Sequence, residues 1–593
     1  MYQKDRSFHG GRGREHMEIQ EKNGTKENLR ELLRQIDHRS YPAYKELKGS
    51  YSWPLYRLNI DHVQGDPFAS PSALRIQVRG AVAGFPLEWA QKECTSIALC
   101  DDLLRRFQAQ IRMFAFRAGG SGKSGLISCS KPGQEILRRS AVELDKNTGD
   151  VTVRFYVGFP AAGRTILAEE LDKICFDFLP KCVERSLIYK NLKQEEVIRV
   201  IHLAEDQEAL RLGMEEKGLA AFVADNSILP RESGVSQKPM KDAIPFLSPE
   251  SMRVSFCLPH KGKITGMGIK KGITLIIGGG YHGKSTLLKA LERGVYNHIP
   301  GDGREFCLTD PTAVKVRAED GRCVHKTDIS SFINRLPNKT DTKMFSTPDA
   351  SGSTSQAAAV IEAIESGAKL LLMDEDTCAT NFMVRDELMQ QIVSPKEETI
   401  TPFVDQMKNL YEKTGLSMII ALGSSGAFFE PADQVIRMDQ YRPYDETPRV
   451  REVLAKWDKS GENGEAADFV MPDFSLRCPK AGQELFGRDG RVRHKTMGKD
   501  GLSIGHEQLD LRGVEQIVDE EQTECLAQLL VTSAGAMDGR TSVREIVRHH
   551  MDQIRQKGLA GAVQGKQVPG NLALAREQEF YAALNRCRMI SMR

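Results

Sequence analysis

The segment Ile273–Ser285, ITLIIGGGYHGKS, restricts what this 593-residue chain can fold into more than any other stretch. A short apolar run, suited to a strand buried on both faces, breaks into glycines and continues as the helix-like TLLKALERG. The spacing of Gly278, Gly283, Lys284 and Ser285 satisfies the phosphate-loop pattern, in which glycines let backbone N–H groups turn inward around phosphate oxygens. Gly278, Gly279, Gly280, Tyr281, His282 and Gly283 are therefore expected to wrap a triphosphate. Lys284 is expected to reach the β- and γ-phosphates and Ser285 to ligate Mg²⁺, with Thr286 in the helix start whose positive end adds to the field. A second run, RAGGSGKS at Arg117–Ser124, puts arginine where the first glycine is required and reads as a basic surface loop.

Asp374 follows Lys284 by 90 residues and ends the apolar run in LLLMDED, a Walker B pattern. Asp374 is expected to hold Mg²⁺, directly or through water, and Glu375 to orient and polarise an attacking water as general base. An acidic turn that merely caps a strand would have the same local sequence. The order of loop and carboxylates within one α/β pattern favours the catalytic reading. Between them lies DASGSTSQAAAVIEAIESGAK, where Ser351 and Gly352 open a helix 23 residues before Asp374 and present its free N–H groups.

A chain of 593 residues is too long for one hydrophobic core and implies three or four domains. Residues 1–24 are polar and read as a flexible leader. Residues 25–193 mix helical stretches with alternating runs such as DVTVRFYV, an α+β domain with a basic segment. Residues 194–475 alternate short apolar strands with helices, an α/β domain, and residues 476–593 return to mainly helical periodicity. No window approaches the ~18 apolar residues of a membrane span, and the opening has no signal-peptide core, so no membrane partner and a cytoplasmic location are expected. The 12 cysteines are scattered without metal-ligand spacing and are read as reduced thiols.

Longer motifs carry a family resemblance. GMGIKKGITLIIGGGYHGKSTLL, YNHIPGDGRE, ASGSTSQAA, DEDTCATNFMVRD and ITPFVDQ, with GFPAAGR and ILPRESG upstream, resemble the bacterial predicted ATPases of the ABC class. The resemblance implies a P-loop NTPase core of the ABC type, with ATP and Mg²⁺ as ligands, between an α+β N-terminal domain and a mainly helical C-terminal domain. It also implies that Ser351 and Gly352 act as a signature motif on the γ-phosphate of ATP held by another subunit, hence a homodimer. Two departures stand out. Gly423, Ser424 and Ser425 occupy the place of the switch histidine, and a Ser424 hydroxyl can bond phosphate or water but carries no imidazolium charge. The glutamine loop has only Glu319 and Asp320 as candidates, which read equally well as a solvated acidic turn.

A net charge of +2 gives no global attraction to nucleic acid, so any such attraction is local. In Leu103–Arg139, Arg105, Arg106, Arg112, Arg117, Lys123, Lys131, Arg138 and Arg139 face only Glu135, a local charge of +7, with Phe107, Phe114 and Phe116 interleaved. A second window, Gly487–Lys499, carries five Lys/Arg against Asp489. Charge beside aromatic rings suits single-stranded nucleic acid, and the family resemblance points to RNA. Solvated helix faces with the phenylalanines in the core are the plainer explanation. The functional expectation is an ATP-dependent clamp around a basic channel. Its rivals are a non-hydrolysing scaffold, a small-molecule P-loop kinase and a transporter subunit.

Overall fold

A computed structural model describes residues 23–385, 398–457, 468–565 and 567–593. The expected leader lies outside them except at its end. Asn23 and Gly24 belong to a strand, Asn23–Thr25, that pairs in parallel with Gly49–Ser52, so these two residues are part of the fold.

The N-terminal region is built on a seven-stranded sheet. Its central strands, Ser72–Val78 and Val151–Val157, alternate buried and half-buried side chains along their whole length. That period of two puts one face of the sheet against the core. The helix Glu93–Phe114 covers it with Leu99, Leu103, Phe107, Ile111 and Phe114, buried at spacings of three and four that align on one helix face.

The central region holds a six-stranded sheet. Its strands are β1 (Ile273–Ile277), β2 (Val314–Val316), β3 (Leu370–Asp374), β4 (Ser417–Ala421), β5 (Gln434–Asp439) and β6 (Arg442–Asp445). They lie in the order β2-β3-β4-β1-β5-β6, all parallel except β6. Almost every residue of β1, β3 and β4 is buried, which is why these strands read as continuous apolar runs. Two helices follow from this sheet, α1 (Lys284–Arg293) and α2 (Gly352–Glu365). A separate antiparallel sheet of four strands contains Leu219–Ala224 and Gly262–Lys270.

The C-terminal region packs helices Glu520–Ser533, Val543–Lys557 and Glu577–Asn585 around a core that includes Leu526, Leu530, Val547 and Phe580. It also carries a three-stranded sheet between His494 and Asp510. This region braces both others. Lys315 Nζ donates to Glu292 (3.0 Å) and Glu515 (2.5 Å), and buried Arg139 donates to Asp519 and Glu521, each at 2.6 Å. Removing one partner from a buried pair of this kind costs about 3–5 kcal/mol, because the other charge is left desolvated and alone.

Candidate nucleotide site

The phosphate loop leaves the end of β1 at Gly278, whose φ is 140°. A Cβ there would sit 2.3 Å from the Met438 carbonyl oxygen on β5, so only glycine allows the two backbones this approach. Among the described residues, no N–H group from Gly279 to Gly283 donates to a protein acceptor. Lys284 Nζ donates to the carbonyls of Gly278 (2.6 Å) and Gly279 (3.1 Å), which lays the ammonium along the loop. Tyr281 has a φ of 63° and is fully exposed.

His282 ties the loop to the β5–β6 hairpin. Its Nδ1 lies 3.0 Å from the N–H of Gln440 and 2.9 Å from Asp439 Oδ1, while Tyr441 donates its N–H to the His282 carbonyl at 3.1 Å. Nδ1 serves one partner at a time: unprotonated, it accepts from Gln440; protonated, it donates to Asp439.

Asp374 ends β3, as its place after four buried residues requires. Its Oδ1 accepts from the Asp376 N–H at 3.4 Å, and burial pushes its carboxyl above the ordinary aspartate range. A half-buried carboxylate with so little hydrogen bonding is suited to a cation. Ser285 Oγ, in the first turn of α1, makes no hydrogen bond to protein among the described residues. These two oxygen donors fit Mg²⁺, which takes one or two protein oxygens and completes its octahedron with phosphates and water. No cluster of three or more His, Cys, Asp or Glu side chains among the described residues would hold a metal alone.

Glu375 is held by the loop after β4. Its Oε2 accepts from the N–H groups of Gly423 (2.5 Å) and Ser424 (3.2 Å), and its Oε1 accepts from Ser424 Oγ (2.7 Å). The serine in the switch position therefore bonds the neighbouring carboxylate. The contact follows from β3 and β4 lying side by side.

Ser351 caps α2, accepting from the Thr354 N–H at 3.4 Å, and a Cβ on Gly352 would meet Asp320, Ala318 and Ala379. Ser353 Oγ donates to Asn381 at 3.0 Å, which joins the helix start to the loop after Glu375. Glu319 is not a solvated turn. Its N–H donates to Ser355 Oγ at 2.9 Å, and its carboxylate accepts from Arg586 of the C-terminal region, with Nε at 3.2 Å. Burial would raise its pKa, but the guanidiniums of Arg586 and Arg322 outweigh that and hold it below the ordinary glutamate range. This carboxylate is committed to an ion pair 267 residues away in sequence, a pairing no local pattern announces.

Half of the basic segment is paired with acids, Arg139 through Asp519 and Glu521. Arg105 and Arg106 bond Asp101 and Asp102 one turn earlier, and Arg138 lies 3.4 Å from Glu93. Phe107 and Phe114 are core residues, which corrects their reading as stacking platforms; Phe116 is 63% exposed, beside exposed Arg112 and Arg117. In the second window all five basic residues are exposed, although Arg493 lies 3.0 Å from Asp489. Among the described residues no helix is long and apolar enough to cross a membrane.

Three family models match successive stretches of the chain. The N-terminal family model for ATPases of the ABC class matches residues 26–190. The P-loop domain of the ABC ATPases matches residues 193–472, and the MRB1590 C-terminal domain matches residues 493–593. The uncharacterized protein MJ1628 of Methanocaldococcus jannaschii is 29% identical over 304 residues, which cover 49% of this chain and 64% of that protein. The chain thus spans somewhat less than two thirds of the length of this curated relative. Among solved structures, cbiO1 of Clostridium perfringens, part of the ABC transporter complex cbiONQ, aligns with 40% of this chain and 92% of its own at 16% identity and a TM-score of 0.25. The ADP conformation of MJ1267, an ATP-binding cassette of an ABC transporter, aligns with 40% of this chain and 95% of its own at 13% identity and a TM-score of 0.24. With its phosphate loop set in a parallel sheet and the ABC-class models matched along it, the chain belongs to the ABC-class P-loop ATPases that carry additional N- and C-terminal domains.

Proposed function

We propose that the chain binds Mg·ATP between two copies of itself and hydrolyses it, and that closure of the dimer reshapes a basic channel holding single-stranded RNA. The nucleotide part rests on one observation: five successive N–H groups, Gly279 to Gly283, have no protein acceptor among the described residues and lie beside Lys284 at the end of β1. In this reading Lys284 exchanges the carbonyls of Gly278 and Gly279 for β- and γ-phosphate oxygens. Ser285 and Asp374 would hold Mg²⁺, which would supply neutralisation of the charge that develops on the phosphates. Glu375 takes a proton from the attacking water. To do so it releases a carboxylate oxygen from Gly423 or Ser424, so the loop after β4 acts as a brake on the base. Ser351 and Gly352 meet the γ-phosphate of the opposite copy.

Phosphate release by wild type and Glu375→Gln tests the chemistry. A loss of about 10²–10⁴-fold is expected for a positioned general base. A second reading, a nucleotide-dependent scaffold, is favoured by the three donors that occupy Glu375. Equal background rates in the two proteins would select it. The dimer is tested by sedimentation with and without Mg·ATP. RNA binding is supported by exposed Phe116 between Arg112 and Arg117 and by the exposed charges of Gly487–Lys499. Filter binding across salt tests it: RNA affinity indifferent both to salt and to ATP would remove the channel.

A further inference from the structure

A pocket of about 560 Å³ opens to solvent at the N-terminal ends of β3 and β4, where the six-stranded sheet meets the C-terminal region. We propose that it is a second ligand site, for a small organic carboxylate whose apolar body fills the pocket and whose single negative charge is held by Arg544 and Lys369.

The volume lies within the ~300–1,000 Å³ of small-molecule sites. The location sets the pocket apart from the phosphate loop. It adjoins Ile364 and the turn Gly367–Lys369, which end α2 and precede β3, whereas Ser351, Gly352, Asp374 and Glu375 stand at the opposite ends of the same two elements. The 14 residues of α2 alone separate those ends by about 20 Å.

The lining selects the ligand. Ile364, Leu416 and Phe474 are core residues and give the pocket an apolar wall. Arg544, in the first turn of the helix Val543–Lys557, lies over the Phe474 ring with its guanidinium carbon 4.3 Å from the centroid, and its Nε donates to the Glu365 carbonyl at 3.3 Å. Ring and carbonyl fix the guanidinium, and neither of its terminal nitrogens has a protein acceptor among the described residues. Lys369 bonds the protein only through its backbone N–H, on Thr312, so its ammonium at the rim is also free among the described residues. The neighbouring hydroxyls are committed: Thr414 Oγ1 donates to the Leu410 carbonyl at 2.6 Å, Ser475 Oγ to Asp473 at 2.6 Å and Ser542 Oγ to Glu545 at 2.8 Å.

The donors left open are therefore two cations, one of them a half-buried, preoriented fork that matches a carboxylate bidentately. Asp473 and Glu545 also line the pocket. Hydrogen bonds from Ser475 and Ser542 hold both below the ordinary carboxyl range, so they remain ionised there. Two fixed negative charges at the rim repel a phosphate dianion more than a carboxylate, which is why the ligand is a monoanion.

Three probes with one ring system test the site on the full chain: naphthoate, its neutral amide, and cationic naphthylmethylamine, titrated by ligand-detected NMR. Wild type is expected to bind naphthoate about tenfold more tightly than the amide or the amine, the usual worth of a charge-assisted pair. Arg544→Met keeps an apolar chain over Phe474 and should remove that advantage, leaving amide affinity unchanged. Lys369→Gln changes an exposed side chain, so it should melt as wild type does and weaken naphthoate by about threefold, as a rim charge does. It keeps the test open should Arg544→Met fail to fold. Lys284→Ala should bind naphthoate as wild type does; a loss there would move the binding to the phosphate loop and overturn the proposal. So would a wild type that binds no probe, one that binds the amide or the amine as tightly as naphthoate, or naphthoate affinity that survives in every folded variant at Arg544 and Lys369.

Discussion

Gly122-Lys123-Ser124 and Gly283-Lys284-Ser285 carry the same three residues in the same order, and the fold treats them in opposite ways. In the first, the N–H of Lys123 donates to Pro67 (2.8 Å), that of Ser124 to Ser121 (3.1 Å) and that of Gly125 to Gly158 (3.0 Å). The loop closes on itself and on the hairpin containing GFPAAGR, and no helix follows it. In the second, the N–H groups from Gly279 to Gly283 keep their donors unpaired within the described protein, and α1 begins at Lys284. A strand before and a helix after make the difference. The strand delivers the turn to the C-terminal end of the parallel strands, on the same side as the acids that end β3, and the helix start holds the following donors in a common direction.

The largest expected effect breaks the comparison at the lysines. Lys284→Ala removes a charge-assisted bond to phosphate and should weaken Mg·ATP by about 10–100-fold in calorimetry. Lys123→Ala should leave ATP affinity within experimental scatter. Equal losses in the two variants would mean that the Arg117–Ser124 loop also receives phosphate, and the contrast drawn from N–H partners would be wrong.

Next comes the packing that closes the first loop. A Cβ on Gly158 would lie 1.8 Å from the Lys123 carbonyl oxygen, so Gly158→Ala must separate two backbones. Overpacking of this kind costs about 1–3 kcal/mol, read as a lower denaturant midpoint, and ATP affinity should be spared. A variant as stable as wild type would show that the loop is looser than its hydrogen bonds suggest.

The contrast also marks what could be read from letters alone. β1, the loop, α1 and β3 were legible because their signals are local: an apolar run, glycines at fixed spacing, acids at a strand end. The partner of Ser424 was not, since its bond to Glu375 depends on which strands become neighbours. Nor was Glu319, whose partner Arg586 lies in another region. For Phe107 and Phe114 the plainer of the two readings, core rather than stacking surface, is the one that the structure bears out. They share a face with Leu99, Leu103 and Ile111, and that spacing identifies a buried stripe before it suggests a stacking surface.

The smallest effect separates the serines. Ser124 Oγ donates to the Ser121 carbonyl (2.5 Å) and accepts from the Ala161 N–H (3.1 Å), so it is a structural crosslink between two turns. Ser124→Ala should lower stability by about 1 kcal/mol, the usual net worth of a hydrogen bond, and leave the Mg²⁺ dependence of ATP binding unchanged. Ser285 Oγ has no protein partner among the described residues, so Ser285→Ala should leave the melting temperature in place. Its cost should appear only with ligand, as a higher Mg²⁺ concentration for half-maximal ATP affinity, because the metal would lose one of the two protein oxygens proposed to hold it. If instead Ser285→Ala lowers the melting temperature without altering the Mg²⁺ titration, the hydroxyl is structural in both loops. The distinction would then rest on Lys284 and the backbone donors.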